Sequence, residues 1–349
     1  AAQGLSSLFD MSDLSVMGMM EILPRLPRLL ARIRMTVRAV DEMKPDALVT
    51  IDSPEFCLRV AKKARETNPS LKTIHYVAPS VWAWRAERAA KMAQHVDHVL
   101  ALLPFEPPYM EAQGMGCDFV GHPIAGAPMP DGAEIAGFRA SHGIGAEQPL
   151  LVVLPGSRMG EVARLEPIFA ATLREVLAHV PDLAVVVPAA EPVAGNLKQR
   201  LSGWPVTPMF LDPRDCAPGT AEQRKRCAFA AADLALAASG TVSLELAAMG
   251  TPMVIAYRFN WLTTRMVKRK VRLDTATLVN ILTGARPVPE FLLENCRADL
   301  IAPTVIDLLG NRDARDRQIR AANQAMEMLG RGGDAPGLRA ARAVLNALP

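Results

Sequence analysis

Leu150-Leu-Val-Val-Leu-Pro-Gly-Ser-Arg-Met-Gly-Glu161 is the stretch on which the reading of this chain turns. Five consecutive apolar residues, 150–154, suit a strand covered on both faces. Gly156 and Gly160 come straight after it, and a helical pattern fills 161–179. Strand, glycine-containing turn and helix together offer backbone N–H groups and a positive helix end to an anion. With Gly156 and Ser157 in the turn, Arg158 adds a two-pronged donor suited to phosphate. The spacing is not GxxxxGK[ST], so this is not a nucleoside-triphosphate P-loop. An ordinary turn carrying a surface arginine is the competing reading.

Outward from this unit the same alternation recurs. Short apolar runs at 47–51, 73–77, 99–103 and 119–121 precede it, and others at 183–187, 234–238 and 253–257 follow. Helical patterns at 56–66, 85–93 and 242–249 lie between them. Such alternation predicts an α/β chain with parallel sheets. Between residues 121 and 148 the pattern lapses into Gly, Pro and Ala, which predicts a boundary. The expected organisation is an N-terminal domain over 1–124, a linker over 125–148, a second domain over 149–330 and a C-terminal helical segment over 331–349. That last segment could pack back on the first domain. Each half reads as a doubly wound sheet, and such sheets bind ligands beyond the carboxyl ends of their strands. The chain opens on a loop and a helix rather than a strand, which predicts an unusual or truncated first domain.

The 349 residues are too many for one core, and a chain half hydrophobic and one-fifth charged is not largely disordered. No run of about 18 uncharged apolar residues predicts a spanning helix. The first ten residues lack a basic segment followed by an apolar run, so no signal peptide is expected. A net charge of +3 argues against bulk nucleic-acid binding. Five scattered cysteines form no CxxC pair, which fits a reducing compartment. His95 and His98 share a helical spacing with nothing to complete a metal site, so no metal is expected.

Three further segments carry chemistry. Ala238-Ser-Gly-Thr-Val-Ser-Leu-Glu245 repeats the strand–turn–helix design. Ser239, Gly240 and Thr241 would offer hydroxyls and N–H groups to phosphate, and Glu245, one turn on, could reach a ribose diol. A first-turn acid favoured by the helix dipole is the plainer account of Glu245. Asp52 ends the strand at 47–51 and could be a general base; its spacing to Glu55 equally suits a helix cap. The loop from Ser80 through Trp82 and Trp84 to Arg85 could be a platform for a sugar or acyl group, or its tryptophans could be core. Between 22 and 40 there are five arginines and no acid, with Ile22, Leu23, Leu26, Leu29, Leu30 and Ile33 on one helical stripe. Pro24 and Pro27 are expected to limit where that helix begins. Periodicity favours a helix packed on its own sheet over one lying on a membrane.

The ordered motifs Tyr76-Val-Ala-Pro-Ser-Val-Trp-Ala-Trp-Arg85, Leu103-Pro-Phe-Glu106, Phe119-Val-Gly-His-Pro123, Leu154-Pro-Gly-Ser-Arg158, Ala238-Ser-Gly-Thr241 and Asn280-Ile-Leu282 resemble those of lipid-A-disaccharide synthases across nearly the whole chain. The resemblance implies a GT-B glycosyltransferase with two Rossmann-like domains facing across a cleft. It implies transfer of 2,3-diacylglucosamine from its UDP donor to 2,3-diacylglucosamine 1-phosphate (lipid X). It further implies that the anomeric centre is inverted, with neither metal nor cofactor, at the cytoplasmic face of the inner membrane. Asp52 then matches the family's essential acid. On the same resemblance Arg158 is expected near the phosphates, and Asn280 is expected to contact the donor. Ser80, Trp82, Trp84, Arg85 and His122 fall to the acceptor side. Met20, Ile22, Leu23, Leu26, Leu29 and Leu30 match a membrane-docking patch, which reverses the reading from periodicity.

Family members open with a strand and a Gly-Glu-x-Ser-Gly-Asp loop not seen here, so the chain is expected to be a fragment of low stability or activity. Val279 stands where the family usually has Pro. The rival readings are another UDP-sugar GT-B enzyme, such as a 2-epimerase or the glycosyltransferase that makes lipid II, and a non-catalytic nucleotide-sugar-binding protein at a membrane surface.

Overall fold

A computed structural model describes residues 6–10, 14, 19–83, 85–217, 219–259 and 275–348. The chain divides into two compact units, one of Ala1–Pro123 with Gly332–Pro349, the other of Ile124–Arg331.

The first unit runs α1 (Met19–Met43), β1 (Ala47–Ile51), α2 (Pro54–Thr67), β2 (Lys72–Tyr76), α3 (Glu87–Ala93), β3 (His98–Ala101), α4 (Pro107–Glu111) and β4 (Gly116–Phe119). Its sheet has the order β1-β2-β3-β4, all parallel. Alternate residues of β3 serve opposite faces, as a strand requires. Val99 and Ala101 join Ala89 and Met92 of α3 and Met110 of α4. Leu100 turns the other way, to Ile74, Val120 and Ala343. Ala343 belongs to a helix from the far end of the chain, Pro336–Asn346, which covers that second face. Arg339 of this helix donates to the Phe119 carbonyl at 2.7 Å and lies over the Phe119 ring at 5.1 Å.

The structure corrects one expectation here. α1 begins at Met19 and continues through Pro24 and Pro27 rather than starting at them. A proline inside a helix forfeits one hydrogen bond, and a 25-residue helix carries that loss without ending.

The second unit contains α5 (Gly132–Ser141), β5 (Leu150–Leu154), α6 (Met159–His179), β6 (Ala184–Pro188), α7 (Ala194–Arg200), β7 (Met209–Leu211), α8 (Thr220–Ala231), β8 (Leu234–Ala238), α9 (Val242–Ala248), β9 (Met253–Tyr257), α10 (Leu278–Thr283), β10 (Glu290–Leu292), α11 (Ala298–Gly310) and α12 (Arg312–Met328). The helix Pro336–Asn346 is then α13. Residues 125–148, read from the sequence as a linker, are part of this unit. They hold α5, whose Asp131 and Glu134 form a reciprocal capping box.

The parallel sheet of the second unit has the order β10-β9-β8-β5-β6-β7. Taken in chain order from β5, that is the 3-2-1-4-5-6 order of a dinucleotide-binding sheet. Every residue of β5 and β8 is buried, which explains their unbroken apolar runs. Phe169 and Leu173 of α6 and Ile301 and Val305 of α11 pack into the same core. The order reverses between β5 and β8, and a crevice forms beyond their carboxyl ends.

Candidate functional site

Both glycine turns open into that crevice. The turn after β5 and the turn after β8 line one cavity of about 370 Å³, with Gly156, Ser157 and Arg158 on one side and Ser239, Gly240 and Thr241 on the other. The cavity extends past Pro188, Ala189 and Ala190 at the end of β6 and also holds Glu161, Lys225 and Glu245. Its volume falls in the ordinary range of small-molecule sites. A second hollow of about 180 Å³ shares the wall formed by Pro188, Ala189, Ala190 and Lys225.

Glycine is required at position 156. Its φ is +131°, and a Cβ there would sit 2.6 Å from the Cβ of Glu161. The close approach brings the Glu161 carboxylate onto the turn, where Oε2 accepts from the Ser157 N–H at 3.1 Å. The N–H expected to face an external anion is thus engaged by a side chain of the chain itself. Oε1 of Glu161 accepts from Nη1 of Arg158 at 2.9 Å and from the Tyr257 hydroxyl at 3.2 Å. Arg158 is the N-cap of α6 and its side chain remains 56% exposed at the cavity. Sequence reasoning missed Glu161. Its signal was the spacing of three residues from the N-cap, which marks an acid that folds back over a helix start.

Glu245 lies on the opposite wall, where its Oε2 is 2.7 Å from Nζ of Lys225. Lys225 also reaches Glu222 at 3.0 Å. Burial opposes the ammonium charge, but the bonds to Glu245 and Glu222 outweigh it and raise the Lys225 pKa. Lys225 was also missed, because a lysine on a polar helix reads as surface.

Asn280 does not join this group. It is buried, its Oδ1 accepts from the Val288 N–H at 3.1 Å, and its Nδ2 donates to the Val288 carbonyl at 3.0 Å. Paired on both sides with one backbone residue, it braces the loop between α10 and β10 and does not line the cavity. The side chain that the resemblance assigns to the donor is thus held by its own loop.

In the first unit Asp52 follows β1 directly and is exposed. Its backbone is left-handed at φ +50°, as is that of Ser53 at +43°. Ser53, not Asp52, is the N-cap of α2, and no side chain caps that helix. The capping-box account of Asp52 and Glu55 is thereby removed. Beside Asp52, the buried His75 is 2.8 Å from the Thr50 hydroxyl, which itself donates to the Ile74 carbonyl. Burial holds the His75 pKa down at about 4, with Asp52 acting weakly in the other direction.

Trp82 is half-buried, stacked edge-on against Phe105 at 5.1 Å, and its indole N–H donates to Glu106 Oε1 at 3.2 Å. Glu106 also accepts from the N–H groups of Leu102 and Leu103 at 3.1 and 3.0 Å. Burial pushes its carboxyl up to about 7 despite these bonds. Ser80 and Arg85 are exposed, and His122 is half-buried with its pKa lowered by that burial. On α1, Leu26 and Leu30 are 37% and 39% exposed, whereas Leu29 is half-buried and Ile33 lies in the core. Trp84 and the side chains of Met20, Ile22 and Leu23 lie outside the described residues.

The profile of the family described as lipid-A-disaccharide synthetase matches residues 1–333. A lipid-A-disaccharide synthase of Ruegeria pomeroyi is 55% identical over 348 residues, covering 100% of this chain and 86% of the relative. The chain belongs to the lipid-A-disaccharide synthase family. A second synthase, from Rhodospirillum centenum, is 47% identical over 350 residues and is 84% covered. A member of the synthase family is a glycosyltransferase that uses a UDP-sugar in lipid A biosynthesis. Among solved structures, a UDP-GlcNAc 2-epimerase from Neisseria meningitidis bound to UDP-GlcNAc matches with a TM-score of 0.62 at 12% identity. It covers 95% of this chain and 82% of its own. A putative UDP-N-acetylglucosamine 2-epimerase from Listeria monocytogenes matches at 0.58 and 13%, over 95% and 80% of the two chains. At such identities the likeness to epimerases is one of fold, the α/β GT-B class with two Rossmann-like units.

Proposed function

We propose that this lipid-A-disaccharide synthase moves 2,3-diacylglucosamine from UDP to the 6-hydroxyl of lipid X, giving the β-1,6-linked disaccharide 1-phosphate and UDP. The observation that carries the reading of the donor site is the cavity at the reversal of the second sheet. There the N-terminus of the 21-residue α6 and the guanidinium of Arg158 line the same cavity as the carboxylate of Glu245. A helix start and an arginine suit a diphosphate, and a carboxylate suits a ribose diol. The space beneath Pro188–Ala190 is left for the base.

In the reaction the acceptor oxygen attacks the anomeric carbon from the face opposite UDP. The Asp52 carboxylate takes the hydroxyl proton as the new C–O bond forms. The bond to the β-phosphate oxygen breaks and UDP leaves with that electron pair, so the configuration inverts. The charge growing on UDP is met by Arg158 and by the dipole of α6. Burial keeps His75 neutral, so it adds no positive charge beside Asp52, which suits a carboxylate that must accept a proton.

On the acceptor side the reading assigns Ser80, Trp82, Arg85 and His122. We also propose that α1 docks the enzyme on the inner face of the inner membrane. Leu26 and Leu30 are exposed on a helix that carries five arginines and, between 22 and 40, no acid. No helix among the described residues is long and apolar enough to cross a membrane.

The test is disaccharide formation from UDP-2,3-diacylglucosamine and lipid X in detergent, followed by release of UDP. Product with inverted configuration supports the reading. UDP bound tightly with no disaccharide would leave a nucleotide-sugar-binding protein and overturn the transferase.

A further inference from the structure

We propose that Glu161 is a positioning residue for Arg158, holding its guanidinium at the mouth of the cavity in the orientation that receives a diphosphate. The inference rests on reading the cavity as the UDP site and adds to it a residue of the opposite sign to Arg158.

A carboxylate inside an anion site calls for an explanation. Glu161 is 8% exposed, so it is not there to be hydrated. Capping the start of α6 would account for its contact with the Ser157 N–H, but for that contact alone. Its other oxygen is shared between Nη1 of Arg158 and the hydroxyl of Tyr257. These bonds tie three elements together: the turn after β5, the first turn of α6 and the end of β9. A long, half-exposed arginine samples many rotamers on its own, and each one not aimed at the ligand costs affinity. Glu161 meets the guanidinium at Nη1 and leaves the Nε and Nη2 edge of the fork for a second, bidentate partner.

The chain is built to keep this carboxylate close. Gly156 has no Cβ, and one placed there would lie 2.6 Å from the Cβ of Glu161. The glycine of the turn thus serves the approach of Glu161 as well as that of a ligand. Tyr257 in turn packs edge-on against Phe259 at 4.8 Å, which fixes the hydroxyl that meets Glu161.

The experiment measures UDP binding by calorimetry on the whole chain, for the parent, Glu161→Gln, Arg158→Ala and the double variant, with melting temperature as the check on folding. Gln keeps the shape and one acceptor oxygen but removes the charge that fixes Arg158. The expected result is about tenfold weaker binding for Glu161→Gln and no further loss when it is added to Arg158→Ala. Glu161→Asp, which keeps the charge but withdraws it by one methylene, should fall between the parent and the Gln variant. It carries the same test if the Gln variant does not fold. Equal or tighter binding by Glu161→Gln in a parent that binds UDP overturns the inference alone. Losses that add in the double variant do the same, since Glu161 would then act independently of Arg158. A parent that binds no UDP overturns the reading of the cavity and this inference with it.

Discussion

The indole N–H of Trp82 is hydrogen-bonded at 3.2 Å to the carboxylate of Glu106, a group buried to 3% exposure at the N-cap of α4. This bond fastens the loop that carries Ser80, Trp82 and Arg85 to the segment that follows β3. Because burial raises the Glu106 carboxyl to about 7 from an ordinary 4.5, the folded chain binds this proton more tightly than the unfolded one. Stability from the protonated form is complete below about 4.5 and is lost as pH rises through 7. The stability of the parent relative to Glu106→Gln should therefore fall across that window, by at most about 3 kcal/mol. Denaturant titrations of both proteins at pH 5 and pH 8 measure it, and an unchanged difference would contradict the assignment.

Asp52→Asn should leave the fold intact and lower turnover by about 10²- to 10⁴-fold, the usual worth of a general base. Turnover and melting temperature are read together. Near-normal turnover in the Asn variant would sink the base assignment.

The left-handed backbone next to it offers a stability test. Ser53 sits at φ +43°, ψ +56° with no capping bond, a conformation that glycine adopts without a Cβ penalty. Ser53→Gly should stabilise the chain by about 1 kcal/mol. A lower melting temperature would show that the serine side chain contributes more than the strain removes.

Gly156→Ala should do the opposite. It forces a side chain onto a φ of +131° and into contact with the base of Glu161. A loss of about 2 kcal/mol or more is expected, together with the loss of UDP binding. An alanine variant that binds UDP normally would refute the account of the turn.

Asn280→Ala separates bracing from binding. It leaves the N–H and carbonyl of Val288 without partners in the interior, at a cost of about 1–3 kcal/mol for each group. Thermal stability should drop while the UDP dissociation constant of the folded protein stays where it was. Weaker UDP binding at full stability would return Asn280 to the donor site.

Much of this was readable from residue order. The apolar runs at 150–154, 234–238 and 253–257 have the bounds of β5, β8 and β9, because strands buried on both faces write themselves as unbroken hydrophobic runs, and the run at 47–51 has the bounds of β1 although Val49 and Ile51 are exposed. β7 and β10, three residues each, are too short to show a period. At the site, the two turns were visible because glycine after a buried strand is strong punctuation. Glu161 and Lys225 were not, since an acid in a first helical turn and a lysine on a polar helix look like solvated surface. The bracing bonds of Asn280 were not legible, because its partner, Val288, is set by how a loop closes eight residues further on. The exposure of Leu26 and Leu30 beside a buried Ile33 was not decided by periodicity either. A helical stripe shows which residues share a face, not what covers it.

The position of α13 sets an order on the life of the chain. This helix covers one face of the first unit's sheet, yet it follows the whole second unit in sequence. During synthesis the second unit, contiguous over Ile124–Arg331, is fully extruded and free to fold before Ala343 can reach Ile74, Leu100 and Val120. The first unit, made earlier, waits with that apolar face bare until α13 emerges. Loss of Pro336–Asn346 would thus leave the second unit whole in sequence and one apolar face of the first unit's sheet bare.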